Sequence, residues 1–269
     1  MTILNIIYQK LYYIFLDILI PKKQLIIPSF LNKSKNIFIY FDYEREFGGH
    51  HTTISDNDVY YILELLKTNG FQSTWYTVGK IFKKYPETIK NIIREGHEIG
   101  SHTYSHIVPL HTSEKELKND FLKIVHEADE KINITGFHSP RGRWSCNAVK
   151  QLVLNNYKYE IVGARKKEPF IPYFIVNNNK RLFRLHTIGD DWPLFNKNRS
   201  EIEVFEYFIS TLNSIKHGNI VGIGFHPWVL FSHINIIKGF EKFINHLGLQ
   251  KDIRLETANY YVKTLESLN

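Results

Sequence analysis

Apolar and polar positions divide the chain into short buried strands alternating with amphipathic helices. The run Asn36-Ile37-Phe38-Ile39-Tyr40-Phe41 is apolar, β-branched and aromatic, which predicts a buried strand. Residues 56–69 place Val59, Ile62, Leu63, Leu65 and Leu66 at helical spacing and stop at Gly70, which predicts a helix. A second strand is expected over residues 71–78, ended by Gly79, and a second helix over 86–95, opened by Pro86. His97-Glu98-Ile99 is strand-like. A long helix is expected over 113–131, where Ser113 and Glu116 form a capping box. A helix over 147–156, strands over 159–163 and 182–186, a helix over 201–216 and a last clear strand over 219–225 follow. This alternation implies parallel βαβ units.

Residues 3–20 break the pattern. They are strongly apolar, yet Asn5, Gln9 and Asp17 fall near one helical stripe, with Tyr13 between them and Lys10 beside it. Interrupting charges argue against a spanning helix. A signal peptide is disfavoured too, because no basic stretch precedes the run and no small-residue cleavage site follows. The expectation is an amphipathic helix lying on a membrane surface and followed by Lys22-Lys23, or else docked on the rest of the chain or on a partner. Pro21 and Pro28 then separate an N-terminal segment, 1–34, from a catalytic domain, 35–269.

The length of 269 residues suits one large α/β domain with a full core. At 43% hydrophobic and 23% charged, the composition is that of a globular protein. A net charge of +7 and a pI near 9.2 favour an anionic partner such as a phospholipid surface or a diphosphate-linked glycan. A genome bias toward Lys, Asn and Ile explains the same numbers. No compact Lys/Arg cluster points to nucleic acid. The single cysteine, Cys146, excludes an internal disulfide.

The candidate chemistry lies between Gly96 and His106, a stretch of eleven residues with three histidines. His102 and His106 are four apart, so one helical turn would put both imidazoles on one face. Two imidazoles are two thirds of a common zinc site, which takes three protein ligands and leaves one position open. The third ligand should be a carboxylate from elsewhere. Asp42 and Glu44 stand at the end of the first strand, where α/β folds place their chemistry. Two residues apart, they could reach one site, one as ligand and the other as base. In Gly48-Gly49-His50-His51 the histidines are read as polar groups of a loop overhanging the site, because adjacent residues rarely face one metal.

These motifs resemble those of the polysaccharide deacetylases, the NodB-homology domain of carbohydrate esterase family four. Phe41-Asp42-Tyr43-Glu44 is similar to the first motif, in the form of a branch that spaces its two acids by one residue. Gly96-His97-Glu98-Ile99-Gly100-Ser101-His102 through His106 is similar to the second. Phe137-His138-Ser139-Pro140-Arg141-Gly142 resembles the third, Asp190-Asp191-Trp192 the fourth and His226-Pro227-Trp228 the fifth. The resemblance covers roughly residues 36–255. It implies a distorted (β/α)7-type barrel, here with an apolar N-terminal helical extension, and a metal-dependent hydrolase. In that scheme Glu44, His102 and His106 hold one divalent metal, zinc first, with cobalt or nickel as alternatives. Asp42 is the general base, His226 the general acid oriented by Asp191, and the Arg141 backbone N–H an oxyanion donor. Trp192, Trp228, Arg143 and His138 are the expected substrate contacts. His138 stands where the family usually has an arginine that pairs with the base, which leaves the tether of Asp42 open between His138, Arg141 and Arg143.

The implied reaction removes N-acetyl or N-formyl from an amino sugar of a surface polysaccharide or its lipid-linked precursor. With residues 3–20, this points to the cytoplasmic face of a bacterial membrane. The alternatives are a small-molecule amidase acting on a cyclic ureide or imide, and a degenerate glycan-binding member, which the missing arginine would support.

Overall fold

The computed structural model describes residues 22–50, 54–128, 132–163, 172–177 and 180–268. The segment 3–20 and His51 lie outside the described residues. A short strand, β1 (Lys22–Gln24), precedes β2 (Lys35–Tyr43), β3 (Thr74–Thr77), β4 (Glu98–Ser101), β5 (Gly136–His138) and β6 (Tyr159–Gly163). Then come β7 (Tyr173–Asn177), β8 (Lys180–Gly189), β9 (Ile220–Phe225) and β10 (Ile253–Leu255). Seven of them, β2-β3-β4-β5-β6-β8-β9, pair in parallel, and β9 returns to β2 to close a barrel. The sequence pattern did not anticipate β7, which forms an antiparallel pair with β8 and carries β1 on its other edge.

The helices are α1 (Asp56–Thr68), α2 (Lys80–Lys84), α3 (Pro86–Arg94), α4 (Glu114–Glu127), α5 (Cys146–Leu154), α6 (Glu201–Asn213), α7 (Pro227–Leu230), α8 (Ile234–Gly248) and α9 (Ala258–Glu266). The capping box at Ser113 and Glu116 is present. Ser55 with Asp58, and Ser200 with Glu203, form two more.

The two-residue period of the strands sorts side chains between two layers. On β2, Ile37, Ile39, Phe41 and Tyr43 join the core under the helices, while Phe38 and Tyr40 join a separate cluster with Tyr76, Tyr159, Phe183 and Leu185 inside the barrel. Large rings fill that interior because the neighbouring strands offer glycine opposite them. A Cβ at Gly100 would lie 2.5 Å from the Tyr76 ring, at Gly136 2.2 Å from Tyr159, and at Gly224 2.5 Å from Tyr40. The interior is therefore a packed core, and the open space lies at the C-terminal mouth.

Candidate active site

The same alternation lifts the chemical groups into the mouth. On β2, Asp42 follows Phe38 and Tyr40 on the inward side. After β9, His226 follows the inward Gly222 and Gly224, and on β5 His138 follows the inward Gly136. Asp42, Glu44, His102, His138, Asp191 and His226 are all buried.

His102 and His106 meet without a helical turn. Residues 102–108 form a loop in which Thr103 (φ 61°) and His106 (φ 57°) are left-handed, a costly conformation for a β-branched threonine. Buried Asp120 on α4 holds the loop by accepting from the backbone N–H of Tyr104 at 2.6 Å and of Ser105 at 3.1 Å. The i, i+4 spacing brings the two rings together, at 5.1 Å between centroids, through loop geometry.

Glu44 Oε1 lies 2.9 Å from His106 Nε2 and 3.4 Å from His102 Nε2. His102 Nδ1 is 2.8 Å from the His138 carbonyl oxygen, which can only accept, so the proton sits on Nδ1 and the Nε2 lone pair faces Glu44. His102 Nε2 and His106 Nε2 are buried with no hydrogen-bond partner. Burial also pushes His102 below the ordinary imidazole range, toward the neutral form. An orphaned pair of imidazole nitrogens beside a carboxylate fits a divalent cation. A second cluster, Asp42 with His102 and His138, also brings donors within 4.8 Å of one another. There the facing atoms are already used, His102 Nδ1 by the His138 carbonyl and His138 Nδ1 by Asp42, so the Glu44 cluster fits better.

The open question at position 138 has a geometric answer. His138 Nδ1 lies 2.8 and 3.0 Å from the two Asp42 oxygens, so histidine occupies the tether position. Burial raises the Asp42 carboxyl, but the charges of His138 and then His102, with the His138 hydrogen bond, outweigh it and hold Asp42 below its ordinary value. Across the mouth, Asp191 accepts from the His226 backbone N–H at 2.8 Å and from its Nδ1 at 2.7 Å. Burial works against a charged His226, yet the Asp191 charge and hydrogen bond, then the charges of Glu44 and Asp42, hold the ring well above its ordinary pKa. His226 Nε2 is left facing Asp42 Oδ2 at 3.6 Å.

Glu44 opens a tight turn, Arg45–Gly48, built on a residue the sequence reading passed over. Arg45 (φ 48°) folds inward, donates from Nε to the Tyr43 hydroxyl at 2.6 Å, pairs with Asp56 and covers the Tyr85 ring at 3.7 Å. The turn delivers His50 to the site, with Nε2 3.3 Å from Glu44 Oε2 and the ring stacked on Trp228. The loop overhangs the site and His50 stays outside the donor cluster, in line with the sequence reading, and its ring also faces the far oxygen of Glu44. Adjacency to His51 argued against a shared ligand, but a second carboxylate oxygen gives one of the pair a partner.

A cavity of about 610 Å³ opens above these groups, lined by His50, His106, Arg141, Asp190, Trp192 and His226 among others. Trp192 is 55% exposed and offers a stacking face. Trp228 also lines the cavity, although it is 1% exposed, His50 covers its ring and its Nε1–H donates to Glu44 Oε2 at 2.9 Å. Trp75 and Trp144 belong to the core. Arg141 takes φ 59° and ψ 19° in the turn after β5 and lines the cavity, whereas Arg143 is not among its lining residues. His97 is structural. Its Nδ1 accepts from the Ser73 N–H at 3.0 Å, and burial lowers its pKa to about 4.

An acid–base pair beside a two-imidazole, one-carboxylate cluster at the mouth of a parallel barrel is a layout suited to hydrolysis. The family model for polysaccharide deacetylase matches residues 32–161, just under half of the chain, and that region is similar to the polysaccharide deacetylase family. A peptidoglycan deacetylase from Helicobacter pylori is 26% identical over 133 residues, covering 49% of this chain and 41% of that protein. A peptidoglycan-N-acetylglucosamine deacetylase from Bacillus cereus is 34% identical over 80 residues, 30% of this chain and 28% of that protein. The chain thus spans less than half the length of these curated relatives. A Mycobacterium smegmatis structure assigned as a polysaccharide deacetylase superposes with a TM-score of 0.77 at 17% identity, covering 92% of this chain and 95% of that one. It shares the fold.

Proposed function

We propose that this chain is a metal-dependent hydrolase that removes the N-acetyl, or N-formyl, group from an amino sugar of a surface polysaccharide or its lipid-linked precursor. The observation that carries the reading is the joint geometry of the mouth. Asp42 and His226 border one space, each fixed by its own partner, beside the orphaned nitrogens of His102 and His106. The tether from His138 to Asp42 also removes the ground for a degenerate binding protein, which rested on the missing arginine.

Glu44, His102 and His106 would hold a divalent metal, zinc above all for this donor set, which would supply Lewis acidity when bound. Asp42, oriented by His138, takes a proton from the attacking water as its oxygen bonds to the acyl carbon. The Arg141 backbone N–H is offered to the negative oxygen that develops there. His226, kept charged by Asp191, gives its Nε2 proton to the sugar nitrogen as the C–N bond breaks. Acetate, or formate, and a free amine leave. The exposed face of Trp192 holds the sugar ring.

A substrate carried on a lipid at the cytoplasmic face of a membrane accords with the apolar segment 3–20. Among the described residues no helix is long and apolar enough to cross a membrane.

Metal content tests the reading. Elemental analysis should find about one zinc, cobalt or nickel per chain in the wild type and none in a His102→Ala/His106→Ala double variant. Glu44→Ala should lose metal and Asp42→Ala should keep it; the opposite pattern would reverse the two acids. A wild type that takes up no metal on reconstitution would sink the mechanism.

A further inference from the structure

Glu44 shows its two oxygens to different neighbours. Oε1 faces His102 and His106, while Oε2 accepts from Trp228 Nε1 at 2.9 Å and lies 3.3 Å from His50 Nε2. His50 stands outside the cluster of donors that could share one cation. Its side chain is 10% exposed, and its ring lies parallel to Trp228, 3.8 Å between centroids at 21°. Both of its ring nitrogens are buried without a formed hydrogen bond, and one is aimed at Glu44. The loop is shaped around this approach. Gly49 (φ 76°) turns the chain back, and a Cβ on Gly48 would fall 2.4 Å from Glu44 Oε2 and 2.6 Å from His50 Nε2.

We propose that His50 is a positioning residue of the metal centre: with the Trp228 indole N–H it fixes Glu44 Oε2 and so keeps Oε1 turned toward His102 and His106. The proposal rests on the reading of Glu44 as a ligand. A glutamate carboxylate on a flexible stem loses rotamer freedom when it binds a cation, and two neighbours that hold it in place beforehand lower that cost. Trp228 supplies one contact to Oε2, and an ionised carboxylate oxygen has room for a second. The stacking on Trp228 aims the imidazole at that oxygen.

The test is zinc affinity of the full chain, by competition with a chromophoric chelator, together with unfolding of the metal-free protein. His50→Ala should weaken zinc binding about 10- to 100-fold, the usual effect of losing a partner that orients a ligand. The metal-free stability should stay near the wild-type value. His50→Gln, whose amide N–H can reach the same oxygen, should recover part of the affinity. Wild-type affinity in His50→Ala, with affinity lost in Glu44→Ala, overturns the proposal and leaves the ligand assignment intact. Wild-type affinity in Glu44→Ala overturns the ligand assignment itself. An equal loss in His50→Ala and His50→Gln overturns the hydrogen-bonding role.

Discussion

At position 138 the side chain and the main chain serve different partners. Nδ1 donates to Asp42, and the carbonyl oxygen accepts from His102 Nδ1 at 2.8 Å. Truncating the side chain therefore frees Asp42 without removing the acceptor that sets the His102 tautomer. His138→Ala should lower kcat on an N-acetylated chito-oligosaccharide or peptidoglycan fragment by about 100-fold, the scale of a misplacement near 1 Å. Its metal content should match the wild type. Loss of metal in parallel with activity would show that the side chain supports the ligands, and that Asp42 is not its principal charge. Residue types and spacing marked Asp42, Glu44, His102 and His106 in the sequence as candidates for one site, whereas His226 entered only through the family resemblance. The tether was not legible, because whether a histidine can stand in for an arginine depends on a distance. His50 was passed over for the same kind of reason: its partner is the far oxygen of a carboxylate six positions away, reached only through the turn that Arg45 and Gly48 shape.

At the scale of elements, long periodic segments were legible to within a few residues. Residues 56–69 became Asp56–Thr68, 86–95 became Pro86–Arg94, and the strand over 159–163 is Tyr159–Gly163. The helix over Ile234–Gly248 repeats Ile236, Phe240, Phe243 and Leu247 at helical spacing and was legible but passed over. Short pieces were not. Gly136–His138 and Ile253–Leu255 are three residues each, too short for a period, and are strands only because neighbours pair with them. The partnership of glycine and ring across strands was equally invisible, although it decides how the barrel packs. Tyr159 cannot yield to a Cβ at Gly136. Its hydroxyl donates to Glu98 at 2.6 Å and accepts from Tyr76 at 3.1 Å. Gly136→Ala should therefore destabilise the protein by about 1–3 kcal/mol, the usual cost of overpacking. Gly163→Ala, with nothing within 4 Å of its Cβ, should be close to neutral. Urea midpoints of the two variants decide it, and equal midpoints would refute the packing account.

Across the whole molecule the site draws on segments far apart in the chain: the end of β2, the loops after β4 and β8, and the ends of β5 and β9. Each is anchored at the base by strand pairing, and they meet at the mouth. A cation held by Glu44, His102 and His106 would join the first of these segments to the second. Unfolding separates the two segments and dissolves the site, so the cation binds the folded chain in preference to the unfolded one. Free zinc at a thousand times its Kd should then stabilise the fold by about 4 kcal/mol. In a chain of this size that raises Tm by roughly 2 °C or more per kcal/mol. Calorimetry with and without zinc should show the rise in the wild type and none in the His102→Ala/His106→Ala variant. The contrast matters more than the rise, because an exposed histidine such as His217 could also take up zinc loosely. An equal rise in both proteins would place the bound metal away from the mouth and remove the physical basis for a metal centre there.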